Sequence, residues 1–269
     1  MPSPADPVAF TIGPLAIRWY ALFILAGILA GIWVITRVAQ WRGQDASFIT
    51  DATPIVILVA VLGARLYFVA LEWRYFRHHP GEIIGLQLRG LTIHGALAGG
   101  VLSFWWYCRL RDQPFLRWAD TIAVGIPVGQ AIGRWGNWAN QEAFGRPTNL
   151  PWGVKIDASH RPAAYPDAGK FHPTFLYEMI CSIIVALFLW QLIRTCSRRP
   201  WWRDGYALAL YLALYGVIRL IIESMRTDSL RIGPWPAAYW LSVALFLAGA
   251  LLALIQSHRT PDGRPSTAT

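Results

Sequence analysis

Charge is what this 269-residue sequence most lacks: only 14% of its residues are Asp, Glu, Lys or Arg, against about 25% in an average globular chain. That shortage argues against a soluble protein. Lysine is nearly missing too, with Lys155 and Lys170 the only two among 24 basic residues. The three cysteines, Cys108, Cys181 and Cys196, form no CxxC pair and no metal-ligand spacing, and an odd number cannot pair completely. A disulfide scaffold and a redox motif are therefore excluded, and the composition is neither that of a disordered chain nor of collagen. The first seven residues have no basic n-region, and the first apolar run continues into Thr36 and Arg37 without a small-residue cleavage site. No cleavable signal peptide is expected, and the first helix should stay in the membrane. No internal repeat is visible.

What is present is apolar and aromatic. Hydrophobic residues make up 55% of the chain, with 15 Trp, 10 Tyr and 12 Phe, and the mean hydropathy is +0.38. This fits an all-α polytopic membrane protein with aromatic belts at the interfaces. A net charge of +9 would suit nucleic acid only if the cations formed a stripe, whereas here they are scattered between apolar runs. Membrane lipid is the expected partner, and nucleic acid is not.

A spanning helix needs about 20 mostly apolar residues. Seven stretches qualify, at about 16–36, 52–72, 91–108, 118–138, 173–194, 205–225 and 236–256; the fourth is the weakest because it holds Asp120, Gln130 and Arg134. Seven crossings put the termini on opposite sides. The connections after spans one, three and five hold Arg37, Arg42, Arg109, Arg111, Arg117, Arg194, Arg198, Arg199 and Arg203, and the tail adds Arg259 and Arg264. The positive-inside rule makes these cytoplasmic, so the N-terminus is expected outside and the C-terminus inside. The chain reads as a single integral membrane domain, 1–269. Its loop at 139–172, punctuated by Pro147, Pro151, Pro162 and Pro166, is expected on the extracytoplasmic side.

Charged residues inside membrane helices cost about 2.5 to 3.5 kcal/mol each on insertion scales, so they face a cavity or a partner. Counting along each span, Arg18, Tyr20, Arg65, His94, Arg134, Asn137, Tyr177, Glu178, Arg219, Glu223 and Arg226 all fall in the outer half, from helices running in both directions. The leading expectation is a polar cavity opening toward the outer leaflet. Each residue also has a plainer reading. His94 alone is more often a structural histidine than a base. Arg219 and Glu223, four apart, make a helix-internal ion pair with Tyr215 one turn earlier, and Gly133 and Gly136 permit close helix contact. Arg18 can snorkel, and most Trp residues, Trp201 and Trp202 included, anchor the interface. The plainer readings leave several cations at one depth unexplained. Such cations suit an anionic ligand, since the arginine fork donates two parallel hydrogen bonds to phosphate. Residue types alone point to a membrane enzyme or to an anion transporter.

At Gly133-Arg-Trp-Gly-Asn-Trp-Ala-Asn-Gln-Glu-Ala-Phe-Gly145 the sequence resembles the phosphatidylglycerol-prolipoprotein diacylglyceryl transferases, whose pattern is G-R-x-G-N-x-x-N-x-E-x-x-G. The likeness continues through Arg18-Trp-Tyr20, Gly63-Ala-Arg65, His94-Gly95, His172-Pro173, Leu176-Tyr-Glu178 and Tyr215-Gly-x-x-Arg219-x-x-x-Glu223-x-x-Arg226. Departures are Ala21 and Ala96, where the family often has Gly, and the bulkier Trp135 and Trp138. The resemblance implies a seven-helix enzyme of the bacterial inner membrane, N-terminus outside. Such enzymes move the sn-1,2-diacylglyceryl group of phosphatidylglycerol to the lipobox cysteine of a prolipoprotein signal peptide, forming a thioether and releasing glycerol phosphate. It implies no metal and no cofactor. It nominates His94 as the base for the substrate thiol, and Arg134 and Arg219 as the phosphate-binding groups. Asn137, Asn140 and Glu142 would orient Arg134 or the headgroup, and Tyr20 and Glu223 would support them. Arg65, Tyr215 and Arg226 complete the expected substrate-binding set. The rival reading, a transporter or flippase for an anion, would want inverted repeats and a site at the midplane.

Overall fold

The computed structural model describes residues 4, 6–13, 15–83, 90–227 and 231–258, so Arg259 and Arg264 of the expected cytoplasmic tail lie outside the described residues. The fold is mostly helical. A hairpin of β1 (Val8–Ile12) and β2 (Leu15–Arg18), turning at Gly13 with φ +58°, leads into α1 (Trp19–Trp41). Then come α2 (Ser47–Leu71), a single turn α3 (Trp73–Phe76), α4 (Ile93–Leu110) and α5 (Phe115–Ala139). The connection that follows holds the short pair β3 (Val154–Lys155) and β4 (Lys170–Phe171). It leads to α6 (Thr174–Cys196), α7 (Tyr206–Met225), the pair β5 (Arg231–Ile232) and β6 (Trp235–Pro236), and α8 (Ala237–Ser257).

Long helices occupy all seven apolar stretches read from the sequence, but their ends differ by up to several residues. Hydropathy finds the apolar middle of a helix, whereas hydrogen bonding sets its ends. Residues 16–18 belong to β2 rather than to α1, and α2 starts at Ser47 because Asp45 accepts its N–H at 3.0 Å and its hydroxyl at 2.8 Å. Those two donors hold the Asp45 carboxyl below the usual carboxylate range. By length and composition, α1, α2, α6, α7 and α8 are apolar enough to cross a membrane.

The chain divides into two compact units, one of Met1–Arg42 with Ala119–Thr269 and one of Gly43–Trp118. In the first, Val34 and Val38 of α1, Ala123 and Val124 of α5, Val185, Leu189 and Ile193 of α6 and Tyr211 of α7 share one core. Backbones approach closely there: a Cβ on Gly27 would stand 2.8 Å from the Gly129 carbonyl oxygen, and one on Gly31 3.2 Å from that of Gly125. Small residues give membrane helices this contact, since lipid supplies no hydrophobic drive between them. In the second unit, a Cβ on Gly99 of α4 would stand 2.6 Å from the Val59 carbonyl oxygen of α2. At the other end of these helices, Phe48 stacks on Trp118 with ring centroids 4.7 Å apart.

Asp120, the residue that weakens the fourth apolar stretch, is fully buried. Its carboxylate accepts the N–H groups of Gly205 and Leu208, both at 2.9 Å. Those are donors that the first turn of α7 cannot satisfy internally, so a side chain from α5 caps α7 and meets the positive end of its dipole. Gly205 enters the turn at φ +104°, a conformation open to glycine. Asp120→Ala strands both N–H groups and should cost about 1–3 kcal/mol, read as a lower thermal midpoint in detergent. Asp120→Asn keeps one acceptor oxygen and should lose less; an Ala variant as stable as the parent would remove the cap from the account.

Candidate active site

The ends of α5, α6 and α7 are sewn together by backbone bonds that the intervening loop makes possible. The Gly145 N–H donates to the His172 carbonyl at 2.8 Å, and the Arg146 N–H to the Met225 carbonyl at 3.0 Å. Gly145 also pairs with Arg226 in a β-bridge. Its site has no room for a side chain, because a Cβ would meet the Met225 carbonyl oxygen at 2.9 Å and Thr174 and His172 at 3.0 Å. The Thr174 hydroxyl donates to the Ala143 carbonyl at 2.6 Å. Beneath the loop, Phe144, Val154, Ile156, Phe171 and Phe175 form a small apolar core of their own.

Into this junction the three helices project their charges. Glu178, in the second turn of α6, is 2% exposed and is shared by two arginines. Its Oε1 accepts from Arg134 Nη2 of α5, and its Oε2 lies 3.3 Å from Arg219 Nη1 of α7. Arg219 Nη2 lies 2.7 Å from Glu223 Oε2, an ion pair by distance without hydrogen-bond alignment. Arg226 Nε approaches the same oxygen at 4.0 Å. Both guanidiniums on Glu178 are themselves largely buried, at 18% and 17% side-chain exposure. A chain Arg134–Glu178–Arg219–Glu223–Arg226 thus crosses three helix ends.

A second, polar arm begins at Arg134, whose Nη1 donates to Asn137 Oδ1 at 3.3 Å. Asn137 Nδ2 and Asn140 Nδ2 donate to Glu142 Oε1 at 2.9 and 3.4 Å. The chain folds back here because Gln141 (φ +52°) and Ala143 (φ +55°) take left-handed conformations on either side of Glu142. Each costs a non-glycine residue about 1–3 kcal/mol. Paired hydrogen bonds between Gln141 and Asp157, at 2.6 and 2.7 Å, offset part of that. Tyr20, the second residue of α1, lies against Gly136, where a Cβ would stand 2.6 Å from its ring. Tyr215 stacks on Tyr211 at 5.9 Å, one turn before Arg219.

Of the expected residues, Tyr20, Arg134, Asn137, Asn140, Glu142, Tyr215, Arg219, Glu223 and Arg226 all belong to the first unit, and most are joined in this network. His94 and Arg65 belong to the second. His94 is exposed in the first turn of α4, its ring 6.2 Å from that of Tyr67. Arg65 donates to the carbonyls of Glu82 at 2.6 Å and Ile83 at 3.1 Å, and its guanidinium lies 5.2 Å from the Phe76 ring centroid. Sequence reasoning places Glu178 among the polar residues of the expected cavity but names it no site residue, although it is the hub. The signal was available: one carboxylate at the depth of Arg134, which had no partner read for it, and of Arg219.

The network positions donors rather than exhausting them. A guanidinium has five N–H groups, and Arg134 commits two of its nitrogens to Asn137 and Glu178. Glu178→Ala would leave two buried cations facing each other, a loss of about 3–5 kcal/mol on the scale of broken buried pairs. Thermal unfolding in detergent should show that fall. Adding Arg134→Ala to Glu178→Ala should recover part of it, and strict additivity of the two losses would show that the residues are not coupled.

Comparison with known proteins bears on what this network serves. Residues 7–255 match the family model described as prolipoprotein diacylglyceryl transferase. A phosphatidylglycerol–prolipoprotein diacylglyceryl transferase of Parasynechococcus marenigrum is 43% identical over 233 residues, covering 86% of this chain and 84% of the relative. One from a Nostoc species is 40% identical over 264 residues, covering 97% and 93%. Another, from Symbiobacterium thermophilum, is 42% identical over 226 residues, covering 83% and 82%. With likeness running through every helix that contributes to the buried arginine network, the chain belongs to the prolipoprotein diacylglyceryl transferase family.

Proposed function

We propose that this chain transfers the sn-1,2-diacylglyceryl group of phosphatidylglycerol to the lipobox cysteine thiol of a prolipoprotein signal peptide, releasing glycerol phosphate. The observation that carries the reading is the pair of buried arginines, Arg134 and Arg219, held by one carboxylate in a member of this family. In the reaction the thiol loses its proton, and the thiolate attacks a glyceryl CH₂ carbon. An S–C bond forms and the C–O bond to phosphate breaks, its electron pair passing to the phosphate oxygen. Charge grows on the departing glycerol phosphate. Two guanidiniums fixed in advance by Glu178 oppose that charge without reorganising, which is the electrostatic term that usually dominates catalysis. Asn137, Asn140 and Glu142 orient Arg134 or the glycerol headgroup, with Tyr20, Tyr215, Glu223 and Arg226 around them. Arg65 holds the segment that its hydrogen bonds reach. For the thiol proton, the family likeness nominates His94. The substrate supplies the nucleophile, so no cysteine of this chain is needed.

The test is mass spectrometry of a lipobox peptide incubated with the purified chain and phosphatidylglycerol, where a diacylglyceryl adduct is expected. Arg134→Ala and Arg219→Ala should nearly abolish it, and Arg→Lys should recover little, because an ammonium lacks the bidentate fork. In the same assay His94→Gln should lose about 10²- to 10⁴-fold at neutral pH. It should recover partly above the thiol pKa of about 8.5, where the substrate ionises unaided. A pH-independent loss would make His94 structural, and anion flux without any adduct would favour the transporter.

Residues 1–269 act as one integral membrane domain of a bacterial inner membrane, with α4 and α5 crossing as well as the five more apolar helices. The N-terminus and the loop 139–172 face outward. The arginines after α1, α4 and α6 support this orientation. In a background lacking native cysteines, single cysteines at 80 and 160 should label from outside intact cells and those at 43 and 197 should not; the reverse pattern inverts the topology.

A further inference from the structure

Along α6, Arg194 stands sixteen residues after Glu178, about 24 Å at 1.5 Å per residue. Around it lies a groove of about 560 Å³ between the C-terminal ends of α1 and α6, lined by Trp33, Arg37, Val38, Trp41, Trp190 and Arg194 among others. It therefore lies toward the opposite end of α6 from the Glu178 network and shares no residue with it. Its chemistry is unlike that of the network as well. Among the described residues, no carboxylate lies within ion-pairing distance of Arg37 or Arg194.

Aromatic rings hold Arg37 in the groove and Arg198 beside it. The Arg37 guanidinium lies 5.6 Å from the Trp33 ring centroid, and that of Arg198 lies 5.2 Å from Trp41 while donating to the Trp41 carbonyl at 3.4 Å. Stacking of this kind holds an arginine without neutralising it. A soluble anion would match the charge and leave the indole and Val38 walls unused; an uncharged acyl chain would match the walls and leave two cations bare. Only a ligand with both parts satisfies the groove. Basic pockets between membrane helices take phosphate headgroups for this reason, and arginine suits phosphate geometry.

We propose that this groove binds one anionic glycerophospholipid of the surrounding leaflet, with its phosphate on Arg37 and Arg194 and an acyl chain along Val38 and the tryptophans. The lipid ties α1 to α6 at the end remote from the Glu178 network, as a bound component distinct from the substrate. Native mass spectrometry of the full chain, released from micelles titrated with dioleoylphosphatidic acid or dioleoylphosphatidylcholine, tests this. The parent chain should retain the phosphatidic acid in preference to the phosphatidylcholine. R37Q combined with R194Q should weaken one equivalent of phosphatidic acid at least tenfold and leave phosphatidylcholine retention unchanged. R109Q combined with R111Q removes the same charge elsewhere and should bind as the parent does; R134A should keep the groove equivalent. Equal retention of the two lipids, or an unchanged affinity in R37Q with R194Q, overturns the proposal. So does a dimer that dissociates on the same substitutions, since a second copy would then fill the groove.

Discussion

A carboxylate shared by two guanidiniums, inside helices that otherwise present hydrocarbon, is the constraint on which the first unit of this protein depends. Each arginine would cost about 2.5 to 3.5 kcal/mol at the centre of a membrane helix. Glu178 lowers that cost only if Arg134 and Arg219 reach it from two other helices, and both do. The ends of α5, α6 and α7 must then lie within a side chain's length of one another. That demand explains the backbone bonds from Gly145 to His172 and from Arg146 to Met225, which hold the helix ends at that spacing. It also explains why Gly145, with no side chain to fit, stands where the strands cross.

Pairing has a second consequence. A buried ion pair contributes little net stability, because desolvation cancels most of its Coulomb energy, but it fixes the planes of the groups it joins. Arg134 is held through Glu178 on one nitrogen and Asn137 on another. A guanidinium restrained twice cannot swing away when an anion arrives or leaves, and its remaining donors keep their direction. The two left-handed residues beside Glu142 fit the same pattern: backbone conformational energy is stored where an oxygen must be aimed, and Gln141 and Asp157 hold it there.

The opposite end of the same unit is built on different terms. Asp120 caps the backbone N–H groups of Gly205 and Leu208 with the Arg42 cation nearby, and so starts α7 where Arg42, bonded to the Thr121 hydroxyl at 2.8 Å, also anchors. Arg37 and Arg194 face outward instead, Arg37 against the Trp33 ring. At the Glu178 end the charges are paired and buried; at the other, Arg42 pairs with Asp204 while Arg37 and Arg194 have no carboxylate partner among the described residues.

The sequence by itself determined the class of protein, the place of the long helices among the described residues, and the family, because each depends on local composition or on an unbroken motif. A long apolar run forms a helix in lipid wherever its neighbours lie, since every backbone group must be satisfied within the segment. Arg134, Asn137, Asn140 and Glu142 were legible as a group because they lie within nine residues, and Arg219 and Glu223 because four residues make one helical turn. Partnership across helices was not legible. Glu178 stands 44 residues from Arg134 and 41 from Arg219, and Asp120 is 85 residues from the Gly205 N–H it caps; nothing in those spacings selects one partner over another. Only the tertiary structure decided these pairings, because side chains distant in sequence meet according to which helix backbones can touch, and that is set by glycines facing glycines such as Gly27 and Gly129.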